Sequence, residues 1–283
     1  MKRHLLEIAD LSPSDIRELF EMADAGPQPE SLAGVTFLSS FFQESTRTRL
    51  GFMGAAACQG ASILDMGSGE RLRREPAWDQ QQVLAEAADV IAVRHWDATF
   101  AQGLASTGRC AVVNAGAGSM SHPTQALIDA YTLIKALDGE VARLRMLFLG
   151  DELQRAGMSF GELASPLGID ASHCPLPADA TPEQQQEAVG QVMTADVIYI
   201  QSLSRTDYGT PNLNDDPYGP ALPPEVVDSI VRSKALIMHA LPRGAELPDE
   251  LLHSSQSIVM KQVESGIPVR SAILRWLTDA SYS

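Results

Sequence analysis

The residues best suited to chemistry stand together at 45–48, where Ser45, Thr46, Arg47 and Thr48 follow closely on the apolar run VTFLSSFF (35–42). If that run is a strand and the following LGFMGAAACQG a helix closed by Gly60, the four residues lie at a helix N-terminus. Free backbone N–H groups and the helix dipole favour an anion there. The hydroxyls add donors, and arginine adds a planar fork that matches phosphate oxygens. A phosphate group is the ligand this grouping suits. An ordinary N-cap at Ser45 or Thr46 with solvated arginines accounts for the spacing equally well.

Two further stretches bear on that choice. VRHWD (93–97) ends a second apolar run with Arg94 and His95. NAGAGSMSHPTQ (114–125) ends a third with a glycine-rich turn, then His122 and Gln125 at a helix start. Taken singly, His122 before a proline reads as a capping histidine and Arg94 as a salt-bridge partner. Taken together, three strand ends offer polar or cationic groups to one crevice. That is where open α/β sheets bind ligands.

The elements that must position these groups alternate between short apolar runs and amphipathic stretches, the pattern of parallel strands with crossover helices. The first helix is marked by Ser12 as N-cap, Pro13 in the first turn and Asp15 as the acid of a capping box, leading into IRELFEMADA. Strands are expected at 35–42, 61–64, 89–94 and 110–115, and a second series at 144–151, 196–201 and 235–241. Two doubly wound α/β domains follow, 1–134 completed by a C-terminal helix from 265–283, and 135–264. A helix over 121–136 bridges them, and one over about 268–280 crosses back. The Pro- and Asp-rich segment 208–225 reads as an irregular loop.

Composition sets the boundaries. The chain has 283 residues, 45% of them hydrophobic, enough for a sizeable core. A net charge of -15 disfavours nucleic acid and acidic membranes as partners, so any bound anion must be held by a local cluster. No stretch approaches about 18 uninterrupted apolar residues, and the opening MKRHLLEIADLSPSD turns acidic too soon for a secretory signal. A cytoplasmic location is expected. Cys58, Cys110 and Cys174 lack metal-ligand spacing and read as core thiols.

STRTR after FF, the VxxRH strand end, HPTQ preceded by NAG, and MHALPR (238–243) occur in the order of the aspartate/ornithine carbamoyltransferase family, which the chain resembles over nearly its whole length. HLLEIADLSPSDI at the start and KQVESGIPVR (261–270) are similar to the aspartate branch. The resemblance implies a carbamoyl-phosphate domain, an amine-substrate domain and a homotrimer with active sites at subunit interfaces, further subunits being left open. It implies no metal and no organic cofactor. Residue by residue, it assigns phosphate binding to Ser45, Thr46, Arg47 and Thr48. It places Thr48, Arg94 and His122 around the carbamoyl oxygen as the catalytic group. Gln125 and the backbone carbonyls of Ala240 and Leu241 would hold the carbamoyl amino group. Preorganised donors suit this reaction, because negative charge grows first on the carbonyl oxygen and then on the departing phosphate.

The departures are equally specific. The family carries a loop lysine in an SxxxxKGE-like stretch that reaches a neighbouring subunit's site. Here DMGSGERLRREPAWDQ (65–80) has Ser68 in its place, with Arg71, Arg73 and Arg74 close behind as substitutes or as a solvated basic loop. On the amine side, GDELQRAGMSF (150–160) offers Arg155 one residue out of register. IQSLSRTDYG (200–209) has Ser202 and Ser204 where the aspartate branch has arginine and glutamine, with Arg205 as a possible compensation. The cysteine of the ornithine branch's HCLP stretch is Ala240. Three readings follow: a carbamoyltransferase with a small amine or amino acid other than aspartate as acceptor, a genuine aspartate carbamoyltransferase of pyrimidine biosynthesis, and a non-catalytic phosphate-binding or regulatory paralogue.

Overall fold

The computed structural model describes residues 2–67, 74–116, 121–151, 155–203 and 219–279, with Arg155 described by its backbone alone. The chain divides into two compact units, Met1–Ile128 with Glu264–Ser283, and Asp129–Val263.

The first unit runs β1 (His4–Leu5), α1 (Pro13–Asp24), β2 (Thr36–Phe41), α2 (Thr46–Ala57), β3 (Ser62–Asp65), α3 (Ala77–Ala87), β4 (Val90–Arg94), α4 (Phe100–Ala105) and β5 (Ala111–Asn114). A further helix, α5 (Pro123–Ala136), carries the chain into the second unit. The start of α1 obeys its sequence signature. Asp15 N–H donates to Ser12 Oγ at 3.2 Å and Ser12 N–H to Asp15 Oδ2 at 2.9 Å, while Ile16, Leu19 and Ala23 are buried. The strands form one parallel sheet in the order β1-β5-β4-β2-β3. β4 and β5 are buried at every residue, which explains their unbroken apolar sequences. β1 is an addition to the sequence reading. It is two residues long and pairs with Val112 and Val113, too short to leave a period.

The second unit continues with β6 (Arg145–Gly150), α6 (Arg155–Ala164), β7 (Asp170–Pro175), α7 (Pro182–Val192), β8 (Val197–Ile200), α8 (Pro224–Ser233), β9 (Leu236–Met238), α9 (Asp249–Leu252) and α10 (Val259–Glu264). Its sheet is also parallel, in the order β7-β6-β8-β9. β7 escapes sequence reading because DASHCP is an edge strand with most residues exposed, held by its ladder to β6 rather than by a buried face. Leu147, Leu149, Ile198, Ile200, Val226 and Ile230 are central to the core. Of the segment expected to be irregular, 208–218 lies outside the described residues, and Pro224 already begins α8.

The last helix, α11 (Gly266–Thr278), returns to the first unit, two residues ahead of its expected start. Arg275 Nη2 donates to the Met22 carbonyl of α1 at 2.6 Å, and the Arg270 guanidinium lies 5.5 Å from the Phe52 ring centre on α2. A methyl group on Gly51 would sit 2.5 Å from Arg270 Nη1, so that the far end of the Arg270 side chain would have to shift. Cys110 and Cys174 are core thiols whose burial pushes their pKa to about 11. Cys58, against expectation, is exposed at the end of α2.

Each sheet has one switch point. The chain leaves β2 for β3 on one side and leaves β4 for β5 on the other, so the carboxyl ends of β2 and β4 flank the crevice of the first unit. The carboxyl ends of β6 and β8 do the same in the second unit.

Candidate active site

At the first switch point Phe41 pairs with Arg94, and Phe42 N–H donates to the Arg94 carbonyl at 2.9 Å. The start of α2 and the end of β4 are thereby fixed side by side. Ser45 occupies the N-cap position of α2, but its side chain makes no capping hydrogen bond. No acidic residue stands in the first turn. The helix thus begins without an internal acceptor from its cap and without an acid of its own in the first turn. Thr46 and Arg47 are exposed and Thr48 is buried. Partial burial of the Arg47 guanidinium lowers its pKa from the ordinary value, and arginine stays charged regardless.

Sequence reading did not distinguish the two arginines of STRTR. Arg49 pairs with Asp65 at the end of β3, with Nε 3.1 Å from Oδ1. The Arg49 contact holds the Asp65 carboxyl below its usual pKa.

Arg94 is 7% exposed and its Nη1 donates to the Ala115 carbonyl at 3.4 Å. Its neighbour His95 turns into the core, stacked on Phe100 at 4.1 Å and edge-on to Phe42, with Nδ1 accepting from Asp97 N–H at 2.9 Å. Its role is packing. At the end of β5, Asn114 Nδ2 donates to the Leu6 carbonyl and Asn114 Oδ1 accepts from Gly116 N–H, both at 2.9 Å. Gly116 has φ +115°, a conformation that needs glycine. His122 is buried ahead of α5. Its carbonyl accepts from Gln125 N–H at 3.0 Å and its Nδ1 meets Thr124 Oγ1 at 3.3 Å. Gln125 is half-buried in the first turn.

At the second switch point, Asp151 N–H donates to the Ser202 carbonyl at 2.9 Å and Gln201 N–H to the Leu149 carbonyl at 2.8 Å. Arg155 opens α6 and Ser202 is half-buried. Ser204 and Arg205 lie outside the described residues, as do Ser68, Arg71 and Arg73, while Arg74 is exposed. Gln201, which sequence reading passed over, is 4% exposed, and neither of its amide atoms has a hydrogen-bond partner among the described residues.

The HALPR stretch follows β9 and is held from within its own unit. Leu241 adopts φ +53°, a left-handed conformation costing about 1–2 kcal/mol for a residue with a Cβ. The Leu241–Pro242 peptide is cis. Leu241 N–H donates to His239 Nδ1 at 2.8 Å, so the ring proton is on Nε2, which donates to Glu246 Oε1 at 2.9 Å. The same carboxylate oxygen accepts Gly244 N–H at 2.8 Å. Burial raises the Glu246 pKa, but the hydrogen bonds from His239 and Gly244 outweigh it and hold the group below its usual value. Behind the turn, His239 N–H donates to Gln262 Oε1 at 2.9 Å and Gln262 Nε2 to Asp129 Oδ1 at 2.6 Å. Tyr199 O–H donates to Asp129 Oδ2 at 2.7 Å. Asp129 is 0% exposed, and buried carboxylates are tolerated only with such partners. Its one sequence signal was a lone acid inside ALIDAYTLI. Among the described residues, no cluster of three or more His, Cys, Asp or Glu could hold a metal, and no helix is long and apolar enough to cross a membrane.

A two-domain α/β protein with a cationic, uncapped helix start at the switch point of its first sheet and a further switch point in its second is the class that fold and geometry define. Residues 3–135 match the aspartate/ornithine carbamoyltransferase carbamoyl-P binding domain, and residues 176–277 match the Asp/Orn binding domain of the same family. Similar proteins include the aspartate carbamoyltransferase catalytic subunit of Brucella ovis, 34% identical over 98% of this chain and 93% of the relative. That of Mesorhizobium japonicum is 33% identical over 98% and 92%. The chain belongs to the aspartate/ornithine carbamoyltransferase family. Two solved structures show the fold. Ornithine carbamoyltransferase from Thermus thermophilus has a TM-score of 0.80 at 22% identity, over 99% of this chain and all of that one. Aspartate transcarbamoylase from Trypanosoma cruzi in complex with carbamoyl phosphate and aspartate has a TM-score of 0.76 at 21% identity, over 97% and 96%. Neither family match reaches residues 136–175, which include the end of β6 and Arg155.

Proposed function

We propose that the protein transfers the carbamoyl group of carbamoyl phosphate to the amine of a small amino acid or related amine other than aspartate, releasing phosphate. The observation that carries this reading is the contrast between the two switch points. The first keeps an uncapped helix start with Arg47 exposed, and Arg94 is buried at the end of the neighbouring strand. At the second, Ser202 stands where the aspartate branch has an arginine.

In this reading Ser45, Thr46, Arg47 and Thr48 bind the phosphate with the first-turn amides of α2. Thr48, Arg94 and His122 donate to the carbamoyl oxygen, and Gln125 with the carbonyls of Ala240 and Leu241 accepts from the amino group. The amine nitrogen attacks the carbonyl carbon, the bond from that carbon to the bridging oxygen breaks, and the phosphate leaves with that oxygen and takes the amine proton. Stabilising the growing oxyanion and holding the amine against the carbonyl supply the acceleration. The acceptor is bound by Arg155, Ser202, Ser204 and Arg205. Without the missing arginine the pocket lacks one bidentate carboxylate partner, which weighs against aspartate.

The working form is a homotrimer whose 68–74 segment, with Ser68, Arg71, Arg73 and Arg74, completes a neighbour's site. Leu50, Leu64, Trp78 and Val83 on the first unit are exposed apolar side chains that such an assembly could cover. Light scattering at working concentrations tests this, and a fully active monomer overturns it.

The reaction is tested by incubating the protein with carbamoyl phosphate and a panel of amines, aspartate and ornithine included, and weighing the products. A carbamoylated amine other than aspartate with the highest kcat/KM supports the proposal. Aspartate as the best acceptor establishes the pyrimidine reading, and phosphate binding without any product establishes the non-catalytic one.

A further inference from the structure

The residues that hold the 240–241 turn have no part in the roles assigned above, and their arrangement gives them one. The two backbone carbonyls assigned to the carbamoyl amino group belong to a turn whose second residue, Leu241, has the backbone conformation an ordinary side chain resists. The described contact that fixes that residue from its N–H side is the imidazole of His239. The ring is itself fixed at its other nitrogen by Glu246, which clasps Gly244 as well. The backbone of His239 is anchored through Gln262 to Asp129 and Tyr199. All five side chains are buried. The hydrogen bonds form one chain from β8, through α5 and α10, to the turn after β9, and they leave the imidazole one tautomer. A carbonyl's usefulness as an acceptor depends on where its lone pairs point. A histidine that sets the peptide orientation therefore sets the recognition.

We propose that His239, oriented by Glu246, is a positioning residue for donor recognition. It fixes the Ala240 and Leu241 carbonyls so that the site distinguishes a carbamoyl group, which has N–H donors, from an acyl group of the same shape without them. This rests on the assignment of those carbonyls to the carbamoyl amino group. It extends that assignment from the carbonyls to the side chains that aim them.

The test compares carbamoyl phosphate with acetyl phosphate, which keeps the phosphate and the carbonyl but replaces the amino group with a methyl group. Inorganic phosphate serves as the third ligand, and affinities are read by calorimetry. Wild type favours carbamoyl phosphate over acetyl phosphate by about tenfold or more, the worth of one or two buried hydrogen bonds. In His239→Leu that preference falls to within about twofold of unity while phosphate affinity holds. His239→Asn restores most of the preference, because an asparagine oxygen can accept the N–H two residues on. If wild type shows no preference, the carbonyl assignment falls and this inference with it. If wild type shows the preference and His239→Leu keeps it, the assignment stands and the positioning role is wrong. If His239→Leu does not fold, His239→Asn decides. Retained preference supports the role, and lost preference with phosphate binding intact overturns it.

Discussion

Arg49 and Asp65 form an ion pair that ties the first turn of α2 to the end of β3. Among the described residues no side-chain hydrogen bond or ion pair engages Arg47. The two arginines of one short motif are thus separated: Arg49 is tied to the scaffold, and Arg47 is the one proposed to meet the anion. Both partners of the ion pair keep about a third of their side-chain exposure, 35% and 30%, so its contribution is small. Asp65→Asn should cost no more than about 1 kcal/mol in denaturant unfolding and leave phosphate affinity within about threefold of wild type. Because the Asp65 pKa is depressed in the fold, the pair's contribution is present above about pH 4 and is lost as the pH falls through the folded value. A phosphate affinity that collapses in Asp65→Asn would mean that Arg49, not Arg47, meets the anion.

Glu246 gives a second pH signature. Its folded pKa lies below the ordinary glutamate value, so its hydrogen bonds stabilise the fold fully above about pH 4.3 and progressively less as acid protonates it through the folded value. Glu246→Gln should flatten the acid limb of the stability profile, measured as urea midpoints between about pH 3 and 6. An acid limb identical to wild type would remove Glu246 from that balance.

Gly150 closes β6 at φ +126°, and a methyl group there would lie 2.6 Å from the Gln201 carbonyl oxygen and 3.0 Å from that of Ser202. Both obstacles are backbone, so Gly150→Ala should cost about 2 kcal/mol or more. In any folded fraction it should also raise the acceptor KM more than the donor KM. Gly161 on α6 meets nothing within 4 Å, and Gly161→Ala should be neutral or stabilising by up to about 1 kcal/mol. Equal losses in the two variants would contradict the close approach of β6 and β8.

Arg155 opens α6 at the second switch point, inside the segment that neither family match covers. Arg155→Ala should raise the acceptor KM by about tenfold, the usual worth of one charged hydrogen bond, and leave the carbamoyl phosphate KM within about twofold. Equal effects on both substrates would place Arg155 elsewhere in the reaction.

The parts of the fold that sequence made legible are those where one residue type suffices. Ser12 and Asp15 close a capping box through their own atoms, and the buried strands β4 and β5 carry their apolar runs in plain view. β1 and β7 were hidden because each is held by pairing to a neighbouring strand rather than by its own pattern. The candidate site divides along the same line. Ser45 to Thr48 and Arg94 are legible because their spacing puts them at strand ends. The separate fates of Arg47 and Arg49 depend on Asp65, which is sixteen positions beyond Arg49. The hold of Asp129 on the HALPR turn depends on Gln262, one hundred and thirty-three positions away. No local window contains those partners.

Calorimetric titration of wild type and Arg47→Ala with carbamoyl phosphate, against inorganic phosphate, tests the central claim most directly. Wild type should bind carbamoyl phosphate more tightly than phosphate. Arg47→Ala should weaken both by at least about tenfold, the loss of a charged hydrogen-bonding partner, with its circular dichroism unchanged. Undiminished binding in Arg47→Ala, or no binding of carbamoyl phosphate by wild type, would contradict a donor site at the start of α2.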